Sequence, residues 1–118
     1  MSKKLKKLAS IFNALSDVNR LKILELVYKK NLKCKLNKIK KCTGENCTCL
    51  TELEKKLKIG MPTISHHVKE LVNAELILTQ KNGRWLYLKI NPKKFTEVVN
   101  FLQGMRIQST YPHIISNT

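Results

Sequence analysis

No apolar run in this chain approaches the roughly 20 residues that a membrane-spanning helix needs. The basic opening, Met1–Lys7, lacks the sustained apolar stretch of a secretory signal behind it, because Leu8-Ala9-Ser10-Ile11-Phe12-Asn13 soon turns polar. A cytoplasmic protein without a membrane partner is therefore expected, in a compartment where thiols stay reduced and structural disulfides are rare. There is no glycine-rich phosphate loop and no pair of carboxylates flanking a plausible cleft. His66 and His67 have no nucleophilic partner nearby in sequence. These shortfalls argue against an enzyme, and no organic cofactor is expected. Acid is scarce above all: 8 Asp+Glu face 23 Lys+Arg, a formal net charge of +15. A chain so basic repels itself and is relieved by a polyanion. Nucleic acid is the first candidate, because each phosphate that a Lys or Arg neutralises releases a condensed counterion.

What is present fits one domain. A chain of 118 residues, 42% of them hydrophobic, can bury a modest core. From Lys4 to Leu15, Leu5, Leu8, Ile11, Phe12 and Leu15 form the stripe of an amphipathic helix. Ser16 and Asp17 supply a cap for a second helix, predicted over Val18–Tyr28 with a wide apolar surface. The stretch from Lys29 to Asn46 is unusual: Lys29–Lys41 holds seven lysines and no acid, and Thr43-Gly44-Glu45-Asn46 reads as a turn. Leu50, Leu53 and Leu57 predict a two-turn helix, which Lys58-Ile59-Gly60-Met61 breaks. Pro62 suits the start of the next helix, predicted to run to about Ala74 and to bury Ile64, Val68, Leu71 and Val72. Its other face is expected to carry Thr63, Ser65, His66, His67, Lys69 and Glu70. Two helices joined by so short a turn are a helix-turn-helix. Leu76–Gln80 and Trp85–Ile90 read as strands around Lys81-Asn82-Gly83-Arg84, whose Asn-Gly pair favours a tight hairpin. A last helix is predicted over Pro92–Met105, and the tail 108–118 has no periodicity. The expected fold class is mainly α with a small β-hairpin wing. Residues 1–107 would form the domain, with a Cys/Lys-rich insert near 29–49 and a flexible tail after it.

A helix-turn-helix followed by a basic-tipped hairpin is a winged helix, and its parts suit double-stranded DNA. The second helix of the pair fits the major groove, where base edges distinguish all four base pairs. Thr63, Ser65, His66, His67 and Lys69 are the candidate contacts on it, with Lys81 and Arg84 at the hairpin tip reaching backbone or minor groove. His67 also reads as a half-buried brace. Apolar stripes left over on the first and last helices predict a homodimer, which would present two reading helices to successive grooves. The alternative from another class is a protein-interaction module whose basic face meets acidic partners.

All four cysteines, Cys34, Cys42, Cys47 and Cys49, fall within a 16-residue window. Thiolates select soft or borderline ions such as Zn(II), Cd(II) or As(III). Lysines on both sides would lower thiol pKa, favouring metal binding and oxidation alike. Four readings stay open: an effector site, a structural zinc knot, a redox switch, and unliganded thiols. The spacing Cys-x7-Cys-x4-Cys-x-Cys lacks the paired Cys-x2-Cys knuckles of common zinc modules.

Four segments resemble the arsenic-repressor (ArsR/SmtB) family of winged-helix regulators. They are Phe-Asn-Ala-Leu-Ser-Asp-Val-Asn-Arg-Leu-Lys-Ile-Leu at 12–24, Pro-Thr-Ile-Ser-His-His-Val-Lys-Glu-Leu at 62–71, Ala-Glu-Leu-Ile at 74–77 and Lys-Asn-Gly-Arg-Trp-Leu-Tyr-Leu at 81–88. The resemblance spans residues 5–105. It implies a homodimer, formed through the terminal helices, that represses transcription at an operator until a thiophilic metal or metalloid binds. Cys47-Thr48-Cys49 looks like the family's Cys-x-Cys motif but sits two residues upstream of it, counting back from Pro62. Cys49 falls at the motif's first position and Thr51 at its second. The implied ligand set is Cys47 and Cys49, completed by Cys34 or Cys42. The family's other site, on the last helix, is discounted because only Glu97 is there and His113 lies in the tail.

Overall fold

The computed structural model describes residues 2–32 and 42–106. Its elements run α1 (Lys3–Leu15), α2 (Val18–Leu32), β1 (Thr48–Cys49), α3 (Leu50–Leu57), α4 (Met61–Asn73), β2 (Ile77–Asn82), β3 (Trp85–Ile90) and α5 (Pro92–Gln103). Local chemistry sets the helix starts. The Ser2 hydroxyl accepts the Lys4 N–H at 3.1 Å ahead of α1, and the Asp17 carboxylate accepts the Arg20 N–H at 3.1 Å ahead of α2. Helix α3 stops where Lys58 turns left-handed, at φ 56°. Gly60 then caps α4 and Pro62 occupies its first turn, where a missing N–H costs nothing.

The core lies where α2, α3 and α4 meet one face of the sheet. Ile23, Val27, Leu53, Ile64, Leu71, Leu76, Ile77 and Leu88 are buried there almost completely. Helix α1 adds Leu8, Ile11 and Ala14, and α5 adds Val98. The sheet is antiparallel, in the order β1-β3-β2. Its register puts Thr48 opposite Leu88 and Cys49 opposite Tyr87 on one side, and Gln80 opposite Tyr87 on the other. Residues therefore alternate between the helical core (Thr48, Leu88) and a second, smaller cluster of Cys42, Cys47, Tyr87 and Cys49.

The structure corrects the sequence reading in several places. Strand β1 has no counterpart among the expected elements, since two residues carry no periodic signal. Helix α2 continues four residues past Tyr28, and the break before α4 is Lys58–Gly60, with Met61 already helical. The expected insert is correspondingly narrower, because residues 29–32 belong to α2 and 48–49 to β1. The hairpin turns at Gly83-Arg84, not Asn82-Gly83: Asn82 still pairs with Trp85, and the positive φ of 65° falls on Gly83 at the first central position. Helix α5 ends at Gln103, two residues short of the prediction. Cys34, most of the lysine-rich run and the tail 108–118 lie outside the described residues.

One side chain joins three parts of this architecture. Asn31, in the last turn of α2, accepts the Ile90 N–H of β3 at 2.9 Å through Oδ1. Its Nδ2 donates to the Asn46 carbonyl at 2.7 Å and lies 3.8 Å from Cys47 Sγ. Replacing Asn31 with Ala strands the Ile90 N–H and removes the Nδ2 bond to the Asn46 carbonyl. Asn31→Ala is thus expected to lower stability by about 1–3 kcal/mol in urea denaturation, with Asn13→Ala on the exposed side of α1 as a near-neutral reference.

Candidate nucleic-acid interface and thiol pair

Helix α4 divides its surface. Ile64, His67, Val68 and Leu71, spaced i, i+3, i+4, i+7, are buried. Pro62, Thr63, Ser65, His66 and Lys69 are exposed. Lys81 and Arg84 are exposed at the end of the β2–β3 hairpin, and the Arg84 guanidinium lies 5.3 Å from the centroid of the Trp85 ring. Such stacking holds the guanidinium extended while leaving its donors available. The exposed side of α4 thus offers hydroxyls, an imidazole and an ammonium, and the wing tip offers two cations.

His67 departs from the expected set. It is 8% exposed, and its Nε2 sits 3.9 Å from Asp17 Oδ1 at the start of α2. Its Nδ1 is buried without a hydrogen-bond partner among the described residues. A side chain so placed braces α4 against the α1–α2 corner and is withdrawn from any groove-facing surface. The signal was available in the sequence, because His67 stands three residues after Ile64 and four before Leu71, on the core stripe itself. The Asp17 carboxyl it faces is held below its ordinary range, chiefly by the Arg20 backbone N–H and secondarily by the charge of His67.

The cysteines divide as well. Cys42 and Cys47 are fully buried, and Cys49, the residue just before α3, is half-buried against them and Tyr87. The two buried thiols share one cluster with Tyr87. They flank the turn Thr43–Asn46, which closes through Cys47 N–H to the Thr43 carbonyl at 3.0 Å and Thr43 N–H to Asn46 Oδ1 at 2.8 Å. The Cys42 peptide is gripped on both sides by the wing: its N–H donates to Gln80 Oε1 at 2.8 Å, and its carbonyl accepts from Asn82 Nδ2 at 2.9 Å. Sequence reasoning missed Asn31, Gln80 and Asn82, whose roles depend on partners 15 to 59 residues away. Among the described residues no three His, Cys, Asp or Glu side chains are grouped so as to hold a metal ion. The donor chemistry is soft and incomplete for a tetrahedral ion, but sufficient for a ligand that takes two sulfurs.

Comparison with known proteins adds the following. Residues 36–79 match the family described as bacterial regulatory protein, arsR family. The arsenical resistance operon repressor of Staphylococcus xylosus is 37% identical over 95 residues, covering 80% of this chain and 75% of that protein. An ArsR-like transcriptional regulator from Rhodococcus sp. RHA1 superposes with a TM-score of 0.70 at 20% identity, over 88% of this chain and 83% of that one. A homodimeric winged helix-turn-helix DNA-binding domain from Mycobacterium bovis superposes with a TM-score of 0.61 at 16% identity, over 88% of this chain and 84% of that one. The fold is therefore the winged helix-turn-helix. No helix among the described residues is long and apolar enough to cross a membrane.

Burial above all, and then the hydrogen bond and charge of Cys42, push the Cys47 thiol from 9.0 up to about 12, against the opposing pull of Lys89. In the unfolded chain this thiol ionises first, so between pH 9 and 12 the unfolded state holds fewer protons than the folded one. The contribution of this group is complete below pH 9 and declines as pH rises to 12. Urea midpoints measured across that window should fall with pH, and Cys47→Ala should flatten part of the decline.

Proposed function

Because this chain belongs to the arsR family of bacterial regulatory proteins, we propose that it is a transcriptional repressor that reads operator DNA as a homodimer and lets go when a thiophilic ligand binds its cysteines. The observation that carries the DNA reading is the exposed polar side of α4 beside a basic wing tip, on a chain of net charge +15. Thr63, Ser65, His66 and Lys69 face base edges, while Lys81 and Arg84 neutralise phosphates. Pro62 and Thr63 bring the positive end of the helix to the DNA backbone.

The dimer reading rests on apolar surface that the described chain leaves uncovered. Leu5 on α1 and Val99, Leu102 and Met105 at the end of α5 are about half to two-thirds exposed. Phe12 and Phe101, with ring centroids 6.3 Å apart, join the two helices into one face. The homodimeric state of the Mycobacterium bovis domain supports the same assignment here.

The ligand reading rests on the gathered thiols and on the kinship with an arsenical resistance repressor. As(III) is the leading candidate, with soft divalent ions such as Zn(II) and Cd(II) as competitors. Cys42, Cys47 and Cys49 are the gathered candidate donors, and Cys34 is a further one. Cys49 precedes α3, and α3 packs against α4, so a ligand drawn onto the thiols acts on the element behind the reading helix.

Changing Thr63, His66 and Lys69 together to Ala is expected to abolish preference for the chain's own promoter DNA, at about 1–3 kcal/mol for each side chain that reads a base edge. Lys81→Ala and Arg84→Ala should each weaken binding evenly across sequences and lower the salt slope by about one. If the triple variant grips the promoter as tightly as the parent, the DNA reading fails. Arsenite should weaken promoter binding by about 5- to 150-fold. No response to arsenite, Cd(II) or Zn(II) would remove the ligand reading and leave the DNA reading intact.

A further inference from the structure

The ligand set that the resemblance implies centres on Cys47 and Cys49. The structure brings together a different pair. Cys42 and Cys47 lie at the two ends of a closed turn, fully buried, thiol against thiol, while Cys49 remains half-exposed at their side. The wing's own side chains, Gln80 and Asn82, hold the Cys42 peptide by both its N–H and its carbonyl. On the other side Asn31 holds the Cys47 end of the turn to α2 and to the Ile90 N–H. The pair therefore bridges two bodies, with the wing gripping one sulfur's backbone and α2 gripping the other.

We propose that Cys42 and Cys47 form a dithiol that captures a trivalent arsenic species, and that the wing, moved through Gln80 and Asn82, is the element that responds. This rests on the arsenical-repressor reading above and specifies its site and its output. Arsenous acid, As(OH)3, reacts with two thiols to give a dithio-arsenous acid, (RS)2As–OH, and two waters. Two As–S bonds form, two As–O and two S–H bonds break, and both thiol protons leave in the water. Nothing is oxidised or reduced, and no net charge enters the buried pocket, which suits a site walled by Tyr87 and the sheet. The third position on arsenic keeps its hydroxyl, so the lack of a third grouped donor among the described residues is no obstacle. Replacing a non-bonded contact within one buried cluster by two covalent bonds to one atom resets the spacing of Cys42 and Cys47. Gln80 and Asn82 carry that change into β2, and Lys81 stands between them.

The full chain, reduced, supplies the test. After one equivalent of sodium arsenite, free thiols are capped with N-ethylmaleimide in urea, beside an arsenite-free control in which Cys42 and Cys47 are alkylated, and peptides are weighed. Trp85, the single tryptophan and part of the wing, reports the response through its emission. Cys42 and Cys47 should be protected while Cys49 is alkylated. Trp85 emission should change and saturate at one arsenic per chain. Cys42→Ser should weaken arsenite binding by roughly a hundredfold or more, through loss of the chelate. In the Gln80→Ala/Asn82→Ala double variant, Cys42 and Cys47 should still be protected, which shows that the turn is in place. The emission change and the arsenite-driven loss of promoter binding should then mostly disappear.

Protection of any other pair, Cys47 with Cys49 included, overturns the site. If promoter release by arsenite persists in that case, the repressor reading survives without it. A double variant that responds like the parent overturns the wing as output. Protection of Cys42 and Cys47 with promoter binding unmoved sinks the regulatory reading and with it the wing's role. Protection of no thiol sinks both the ligand reading and this site.

Discussion

Strand β3 is the constraint on which the rest of the molecule depends. It lies between β1 and β2, so the wing is built on one of its edges and the cysteine segment on the other. Its pleat sends Leu88 into the helical core and Tyr87 toward the thiols. A slip of one residue would exchange those faces, exposing the core strand and driving polar groups inward. Two devices hold the register. Gly83 supplies the positive φ of the hairpin turn, and Asn31 captures the Ile90 N–H at the far end. The wing and the thiol pair thus inherit their positions from one six-residue strand.

Much of this was legible in the sequence, for a physical reason. Helices α1, α3 and α4 announce themselves through apolar spacing, and the hairpin through Gly83 between two apolar runs, all signals carried within about a dozen residues. What could not be read depends on distant partners. Strand β1 exists only because Leu88 and Tyr87 pair with Thr48 and Cys49. The last turn of α2 is Lys29-Lys30-Asn31-Leu32, which reads as loop until Lys30 finds Glu52 at 3.0 Å and Asn31 finds β3. His67 is a different kind of miss. Its spacing from Ile64 and Leu71 marked a core position, but its polarity suggested the wet face. The positions of Thr63, Ser65, His66 and Lys69 were readable because an amphipathic helix leaves little choice of side.

The same division shapes the electrostatics. The acids are few, and several in the described residues are committed within the fold. Asp17 caps α2 and faces His67, and Glu75 and Glu97 share Lys94 at 3.0 Å each. Each such pair removes a carboxylate that would otherwise offset the surface lysines. Lys69, Lys81 and Arg84 are exposed and have no ion pair among the described residues, so their charge is available to an incoming polyanion.

How a change at the thiols would spread follows from which neighbours are held hardest. Helix α3 is anchored to α2 by the Glu52 carboxylate, which takes Lys30 at 3.0 Å and Lys56 at 3.1 Å. Burial pushes the Glu52 carboxyl up, but the two lysines more than offset it and hold it below its ordinary range, so the anchor persists at neutral pH. The wing has no comparable ion-pair anchor at its tip among the described residues. Its outer end is exposed, and its link to the Cys42 segment is two amide side chains. Displacement imposed on the Cys42–Cys47 turn therefore meets a stiff helix on one side and a compliant hairpin on the other. The hairpin yields. Gln80 and Asn82 face the turn, and Lys81, between them on the opposite face of the pleat, must travel with the strand. On the arsenite proposal above, a ligand held in the turn shifts the exposed Lys81 through β2.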